Sequence, residues 1–170
     1  AIARKFRAFS KNICFFDPYQ SSGVEKTFDI DRVDNLDDLL KEVDILSINT
    51  PLNNETKGLV NKEFISKMKE DSILINLSRG EIIEDTENIK NALISGKLRG
   101  YGTDVWINEP PLEKDLLYSS WLENHSLTKK IIITPHTAYY SEQALYECRN
   151  NTALNCLNYI NGNPIKNRII

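Results

Sequence analysis

Three residues of this sequence have the side chains one reaction needs, and each follows a short apolar run. Arg79 comes after SILINL, Glu109 after Asp104-Val105-Trp106-Ile107-Asn108, and His136 after IIIT. The planar fork of an arginine holds a carboxylate by two parallel hydrogen bonds. A histidine exchanges a proton with a hydroxyl or carbonyl oxygen near neutral pH, and a neighbouring carboxylate fixes its tautomer and favours its charged form. Together the three describe a carboxylate clamp beside an acid/base pair. Such a set suits reduction of the keto group of a 2-oxo acid by hydride from a nicotinamide, with Arg79 orienting the carboxylate and His136 protonating the nascent alkoxide. Singly, each has an ordinary reading: a surface arginine in a Ser-Arg-Gly turn, a solvated loop glutamate before Pro110-Pro111, and a structural histidine. Only one other histidine, His125, occurs in the chain.

Asp17 closes the run NICFFD just ahead of Pro18. A carboxylate at the end of a strand accepts both ribose hydroxyls of an adenosine, which favours NAD over the 2′-phosphate of NADP; its ordinary reading is a turn aspartate before a proline. The cofactor reading needs a glycine-rich phosphate loop about 20 residues before the acid. A G-x-G-x-x-G loop is therefore expected in the parent gene, ending within about three residues of Ala1. The sequence opens on Ala1 and enters AIARKFRAF with no helix start signal, which reads as the middle of a longer protein.

The elements that must position these residues alternate regularly. Ile2, Phe6 and Phe9 fall at helical spacing, and a strand follows over 12–17. Asn35 caps a short helix, LDDLLKEV, and the strand DILSINT over 44–50 ends at Pro51. A helix near 61–68, a strand over 72–77 and a helix from Asp85 to near Gly96 repeat the pattern. A strand near 98–105, a long polar loop, the strand IIIT over 131–134 and a final helix from Ser141 to about Ile160 complete it. In that helix Ala153, Leu157 and Ile160 stand at core spacing, and Asn161-Gly162-Asn163-Pro164 stops it. Short apolar strands alternating with helices predict an α/β, doubly wound parallel sheet covered on both faces. Ligands bind such sheets beyond the carboxyl ends of the strands, where Asp17, Arg79, Glu109 and His136 lie.

Composition narrows the partners. The 170 residues carry 21 basic and 24 acidic side chains, a net charge of −3, with 41% hydrophobic residues. These are the proportions of a soluble domain with one core, and they exclude a disulfide framework or a low-complexity chain. No run of Lys and Arg offers the cluster that counterion release on a nucleic acid requires. No apolar run nears the roughly 18–20 residues of a membrane span, and no secretory signal is visible. Cys14, Cys148 and Cys156 have no C-x-x-C spacing, so neither zinc nor disulfides are expected, and a reducing compartment fits best.

The runs DPYQSSGVE (17–25), PLNNETKGLVNKEFISKMKEDSILINLSRGEIIED (51–85), ALISGKLRGYGTDVWINEPP (92–111) and TPHTAYYSEQA (134–144) resemble the NAD-binding domain of D-isomer-specific 2-hydroxyacid dehydrogenases. The resemblance covers almost the whole chain. It implies a Rossmann-type sheet, here partial, with the first strand and glycine loop outside the sequence. It implies a catalytic trio of Arg79, Glu109 and His136, and NAD as cofactor with Asp17 on the adenosine ribose. Thr50, Pro51 and Thr56 would lie along the adenine and pyrophosphate; Leu77, Ser78 and Asp104 would stand by the nicotinamide, with Thr137, Ala138 and Tyr139 completing that wall. No metal is implied.

By the same resemblance, residues 1–138 form the NAD-binding domain, truncated at its amino end. Residues 139–170 form a crossing helix and a segment returning toward an absent substrate domain, so the 170 residues alone are expected to be inactive. D-P-Y-x-S-x-G-V-E and Y-S-E-Q-A look most like the C-terminal binding protein and phosphoglycerate dehydrogenase-like branch. Tyr139, where the corepressor branch has Trp, and a long 109–136 loop depart from it. The expectation is a cytoplasmic homodimer that transfers hydride to or from a small D-2-hydroxy acid. The alternative is an NAD(H)-sensing corepressor or scaffold, for which a nuclear location follows.

Overall fold

In the computed structural model, which describes residues 2–123 and 125–167, the elements run α1 (Ile2–Phe6), β1 (Cys14–Phe15), α2 (Val24–Phe28), β2 (Asp31–Arg32), α3 (Leu36–Glu42) and β3 (Ile45–Ile48). They continue with α4 (Lys62–Lys67), β4 (Ser72–Asn76), α5 (Thr86–Ser95), β5 (Leu98–Thr103), α6 (Leu116–Glu123), α7 (His125–Thr128), β6 (Ile131–Ile133) and α8 (Glu142–Ile160). The chain divides into two compact units, one ending at Pro135 and the other beginning at His136.

Among the described residues all strands lie in the first unit, and every pairing is parallel. β3, β4, β5 and β6 form one sheet in chain order, while β1 and β2 form a separate pair joined at Cys14↔Asp31 and Phe15↔Arg32. The parallel α/β expectation holds for the fold, with its strands divided between two ladders. Parallel neighbours need a crossover between them, and the helices supply it. β4 lies inside the larger sheet, with Ser72, Leu74 and Asn76 buried on alternate positions. Leu40 of α3, Ile65 of α4 and Ile89 and Leu93 of α5 join Leu74 and Leu98 in one apolar core.

The helix starts are set by side chains that the sequence already marks. Asn35 Oδ1 accepts the Asp37 amide at 2.8 Å, Asn61 Oδ1 the Phe64 amide at 2.9 Å, and Asp85 Oδ1 the Glu87 amide at 2.8 Å. Each such cap stabilises its helix by about 1 kcal/mol. Gly96 ends α5 at φ 86°, a left-handed turn that glycine takes without steric cost.

Four expectations change. The long polar loop after Glu109 contains α6 and α7, whose Leu117 and Leu127 are fully part of the core. Asp115 starts α6: its Oδ1 accepts the amides of Leu117 and Tyr118, each at 3.0 Å, and its Oδ2 accepts Thr86 Oγ1 of α5. α2 and β2 were also not anticipated, and the strands expected over 12–17 and 44–50 are shorter. Finally, α8 has the expected length and a Ser141 cap, whose Oγ accepts the Ala144 amide at 3.1 Å, but it buries none of its residues. Leu157 is 54% exposed and Ile160 77%, so the spacing that suggested a core face belongs to an open one.

Candidate functional site

The site begins with a buried amide. Asn76, the last residue of β4, is fully buried, and its Nδ2 donates to the Arg79 carbonyl at 2.9 Å while its Oδ1 accepts the Ser78 amide at 3.1 Å. One side chain thus folds the turn that carries Arg79 out of the sheet, leaving the guanidinium exposed with Nη1 on the Ser78 carbonyl at 2.7 Å. Gly80, next in the chain, lies against the backbone after β5. A Cβ built on it would stand 1.9 Å from the Trp106 carbonyl carbon and 2.3 Å from the Ile107 nitrogen. Only glycine allows that approach, and it brings the Arg79 turn against the loop carrying Glu109. Glu109 closes that loop on itself, its Oε1 accepting the Trp106 amide at 3.0 Å.

Between these two turns the strand ends are stitched together. Asp104 is buried, its amide donates to the Asn76 carbonyl at 3.1 Å, and its Oδ1 accepts Thr134 Oγ1 beyond β6. Ser78 Oγ donates to the Thr50 carbonyl after β3. The carboxyl ends of β3, β4, β5 and β6 are therefore tied in sequence by polar contacts, with Leu77 left 42% exposed on this edge. Pro51 and Thr56 sit in a rigid turn: Thr56 Oγ1 donates to the Pro51 carbonyl at 2.6 Å and accepts the Asn53 amide at 2.8 Å.

At the end of β1, Asp17 Oδ1 accepts the Tyr19 amide at 3.0 Å. Arg32 of β2 holds the same turn, with Nη1 on the Gln20 carbonyl at 3.0 Å and Nη2 on the Asp17 carbonyl at 3.4 Å. The Tyr19 hydroxyl donates to Glu55 Oε2 in the loop after β3, and that hydrogen bond is the main reason its pKa is raised above the usual tyrosine value. In the sequence Gly80 stands out only as part of the Ser-Arg-Gly turn, and Asn76, Arg32 and this tyrosine bridge do not stand out at all. A polar residue closing the apolar run of β4 is the signal that could have pointed to Asn76.

The second unit opens with His136, half-buried and at φ 51°, a left-handed backbone that few non-glycine residues adopt and that costs on the order of 1–3 kcal/mol. Its ring meets Tyr139 edge to face, with centroids 6.0 Å apart and planes at 87°. The Tyr140 amide closes the turn onto the Thr137 carbonyl at 2.8 Å, and Thr137, Ala138 and Tyr139 are exposed. Arg79, Glu109, Asp17 and Asp104 thus belong to the first unit, and His136 with its three followers to the second.

The donor set suits the adenosine end of a dinucleotide. Asp17 Oδ2 accepts no hydrogen bond from the described residues, so a carboxylate oxygen at a strand end is available to ribose hydroxyls, which are donors. Parallel strands with polar, turn-fixed carboxyl ends are the frame on which α/β domains bind nucleotides. The family described as D-isomer specific 2-hydroxyacid dehydrogenase, NAD binding domain, matches residues 1–138, and the chain belongs to it. The chain is 43% identical over 122 residues to a formate dehydrogenase of Neurospora crassa, covering 69% of itself and 32% of that protein. Among solved structures it resembles the D-lactate dehydrogenase of Treponema pallidum, with TM-score 0.84, 28% identity, and coverage of 99% of this chain and 51% of that one. It also resembles the D-lactate dehydrogenase of Aquifex aeolicus solved with NAD and lactic acid, with TM-score 0.77, 30% identity, and coverage of 95% and 50%. The chain spans about a third of the curated relative and about half of each solved one.

Proposed function

We propose that the protein is an NAD-dependent oxidoreductase that interconverts a small D-2-hydroxy acid and its 2-oxo acid. When bound, NAD supplies the hydride acceptor for oxidation and, reduced, the donor for reduction. Arg79 pairs with the substrate carboxylate through its fork. His136 Nδ1 or Nε2 gives a proton to the new hydroxyl oxygen in reduction and takes it back in oxidation, and Glu109 orients that imidazole. Asp17 accepts from the adenosine ribose; Thr50, Pro51 and Thr56 line the adenine and pyrophosphate path. Leu77, Ser78 and Asp104, with Thr137, Ala138 and Tyr139, wall the nicotinamide. Residues 139–170 serve as the segment that returns toward a substrate domain, and the whole protein works as a homodimer.

The observation that carries this reading is the approach of Gly80 to Trp106 and Ile107, which sets the arginine turn and the glutamate loop side by side at the carboxyl ends of β4 and β5. The 43% identity to a formate dehydrogenase favours a second reading, formate oxidation. The chemistry separates the two. Formate loses a hydride and leaves as carbon dioxide with no hydroxyl proton to move, so an acid/base pair of Glu109 and His136 has work to do only on a hydroxy acid. Full-length protein should oxidise NADH with at least one of a panel of 2-oxo acids; turnover of formate with NAD and of none of those acids would overturn the first reading in favour of the second.

A further inference from the structure

The turn after β1 and the loop after β3 are held across from each other by one side chain, Tyr19, whose hydroxyl donates to Glu55 Oε2, 36 residues away in the chain. Both ends of this bridge are fixed. Asp17 Oδ1 and the Arg32 guanidinium hold the turn, as described above. Asn53 Oδ1 holds the loop by accepting the amides of Glu55 at 2.9 Å and Thr56 at 3.0 Å. We propose that Glu55, positioned by Tyr19, is a second carboxylate beside Asp17 that rejects the 2′-phosphate of NADP, making the Tyr19–Glu55 pair a determinant of cofactor choice. The proposal rests on the assignment of Asp17 to the adenosine ribose.

Charge on these loops points one way. Residues 16–23, between β1 and α2, and 49–56, after β3, contain Asp17 and Glu55 and no lysine or arginine, while Glu25 and Lys26 of α2 offset each other. A dehydrogenase that takes NADP commonly offers an arginine to the phosphate at this corner. Arg32 is the arginine placed there, and each of its nitrogens is engaged: Nη1 and Nη2 on turn carbonyls, and Nε on Asp34 Oδ1 at 3.3 Å. Lys57, the next residue of the loop after β3, pairs with Glu81 Oε1 at 3.4 Å. Glu55 and Asp17 both raise the pKa of the Tyr19 hydroxyl, the first chiefly by its hydrogen bond and the second by its charge, so the fields of the two carboxylates overlap at that oxygen. A 2′-phosphate brings a charge of about −1.5 to −2 at neutral pH into this field, by analogy with phosphorylated side chains, whereas a 2′-hydroxyl brings a donor.

The test is binding. NADH and NADPH are titrated into the full-length protein, their dissociation constants read from nicotinamide fluorescence. Glu55→Gln keeps an acceptor for Tyr19 and removes the charge; it should lower the NADPH-to-NADH ratio of dissociation constants about tenfold at low salt, and less at high salt as screening shortens the field. Tyr19→Phe, which frees the carboxylate without removing it, should lower the ratio by a smaller factor. A ratio unchanged in Glu55→Gln but lowered in Asp17→Ser overturns the role of Glu55 and leaves Asp17 on the ribose. A ratio unchanged in both variants overturns the ribose assignment and this proposal with it. A fall in Glu55→Gln that is undiminished at high salt marks a packing effect and also overturns the proposal.

Discussion

Arg79 and His136 carry different parts of the proposed reaction, and their loss should read differently. Without the Arg79 fork the 2-oxo acid loses its orientation as well as its ion pair, so Arg79→Ala should raise KM and lower kcat. Arg79→Lys keeps the charge and lacks the fork, so it should recover only part of the loss. His136→Ala removes the proton donor and should lower kcat chiefly. Each alanine variant is expected to cost at least about 10² in kcat/KM, measured as NADH oxidation with the best 2-oxo acid; a wild type no faster than these variants on every acid would remove the assignment. The strand-end positions of both residues were legible in the sequence because each follows an apolar run that had to be a strand, and a strand end is where a doubly wound sheet offers side chains to a ligand. The roles of Asn76 and Gly80 were not, because their work consists of contacts made by the folded chain. An amide that ties two backbone groups of the next turn, or a hydrogen in place of a Cβ against a distant carbonyl, leaves no spacing in the sequence.

Among the elements, caps helped make α5 and α8 legible, whereas β2 and α6 were not. α5 has Asp85 before it and Gly96 after it, and α8 has Ser141. β2 is two charged residues with no alternation to read, yet it supplies Arg32 to the turn after β1. α6 had its Asp115 cap in view, but the cap follows two prolines and a charged stretch that look like loop. Two predictions belong at this scale. Gly80→Ala forces the turn between β4 and α5 away from the loop after β5, because the nearest obstacle is backbone at 1.9 Å. It should destabilise the fold by about 1–3 kcal/mol or more, several degrees of melting temperature by scanning calorimetry; an unchanged melting temperature would show that the two loops are not in contact. Tyr101 of β5 is 4% exposed, and burial pushes its hydroxyl up to about 12, opposed by hydrogen bonds with Thr103 and Asn76. Its ordinary value in the unfolded chain is 10.0. The raised folded value means its contribution is whole below pH 10 and is lost as pH rises from 10 through 12, by about 1.4 kcal/mol for each unit of that interval. Wild type should therefore lose more stability than Tyr101→Phe between pH 9 and pH 12, as followed by denaturant midpoints; parallel losses would place the hydroxyl in water.

Across the whole molecule, the proposed trio is distributed over two units, Arg79 and Glu109 in the first and His136 in the second. If the clamp and the proton donor serve one transition state, each depends on the other for its effect: a substrate left unclamped gains little from a well-placed imidazole, and a clamped one without a proton donor gains little from orientation. Residues that act as a unit in catalysis are strongly non-additive. The variant carrying both Arg79→Ala and His136→Ala should then lose far less kcat/KM than the product of the two single losses, with the double close to the worse single. Two singles of about 10² that multiply to about 10⁴ in the double would mean the two units contribute to independent steps. The measurement has to be made on full-length protein, since this chain covers 51% of the length of the Treponema pallidum D-lactate dehydrogenase it resembles. The 170 residues alone, expressed and assayed in parallel, should show no turnover, and any they did show would mean that these residues suffice for the reaction.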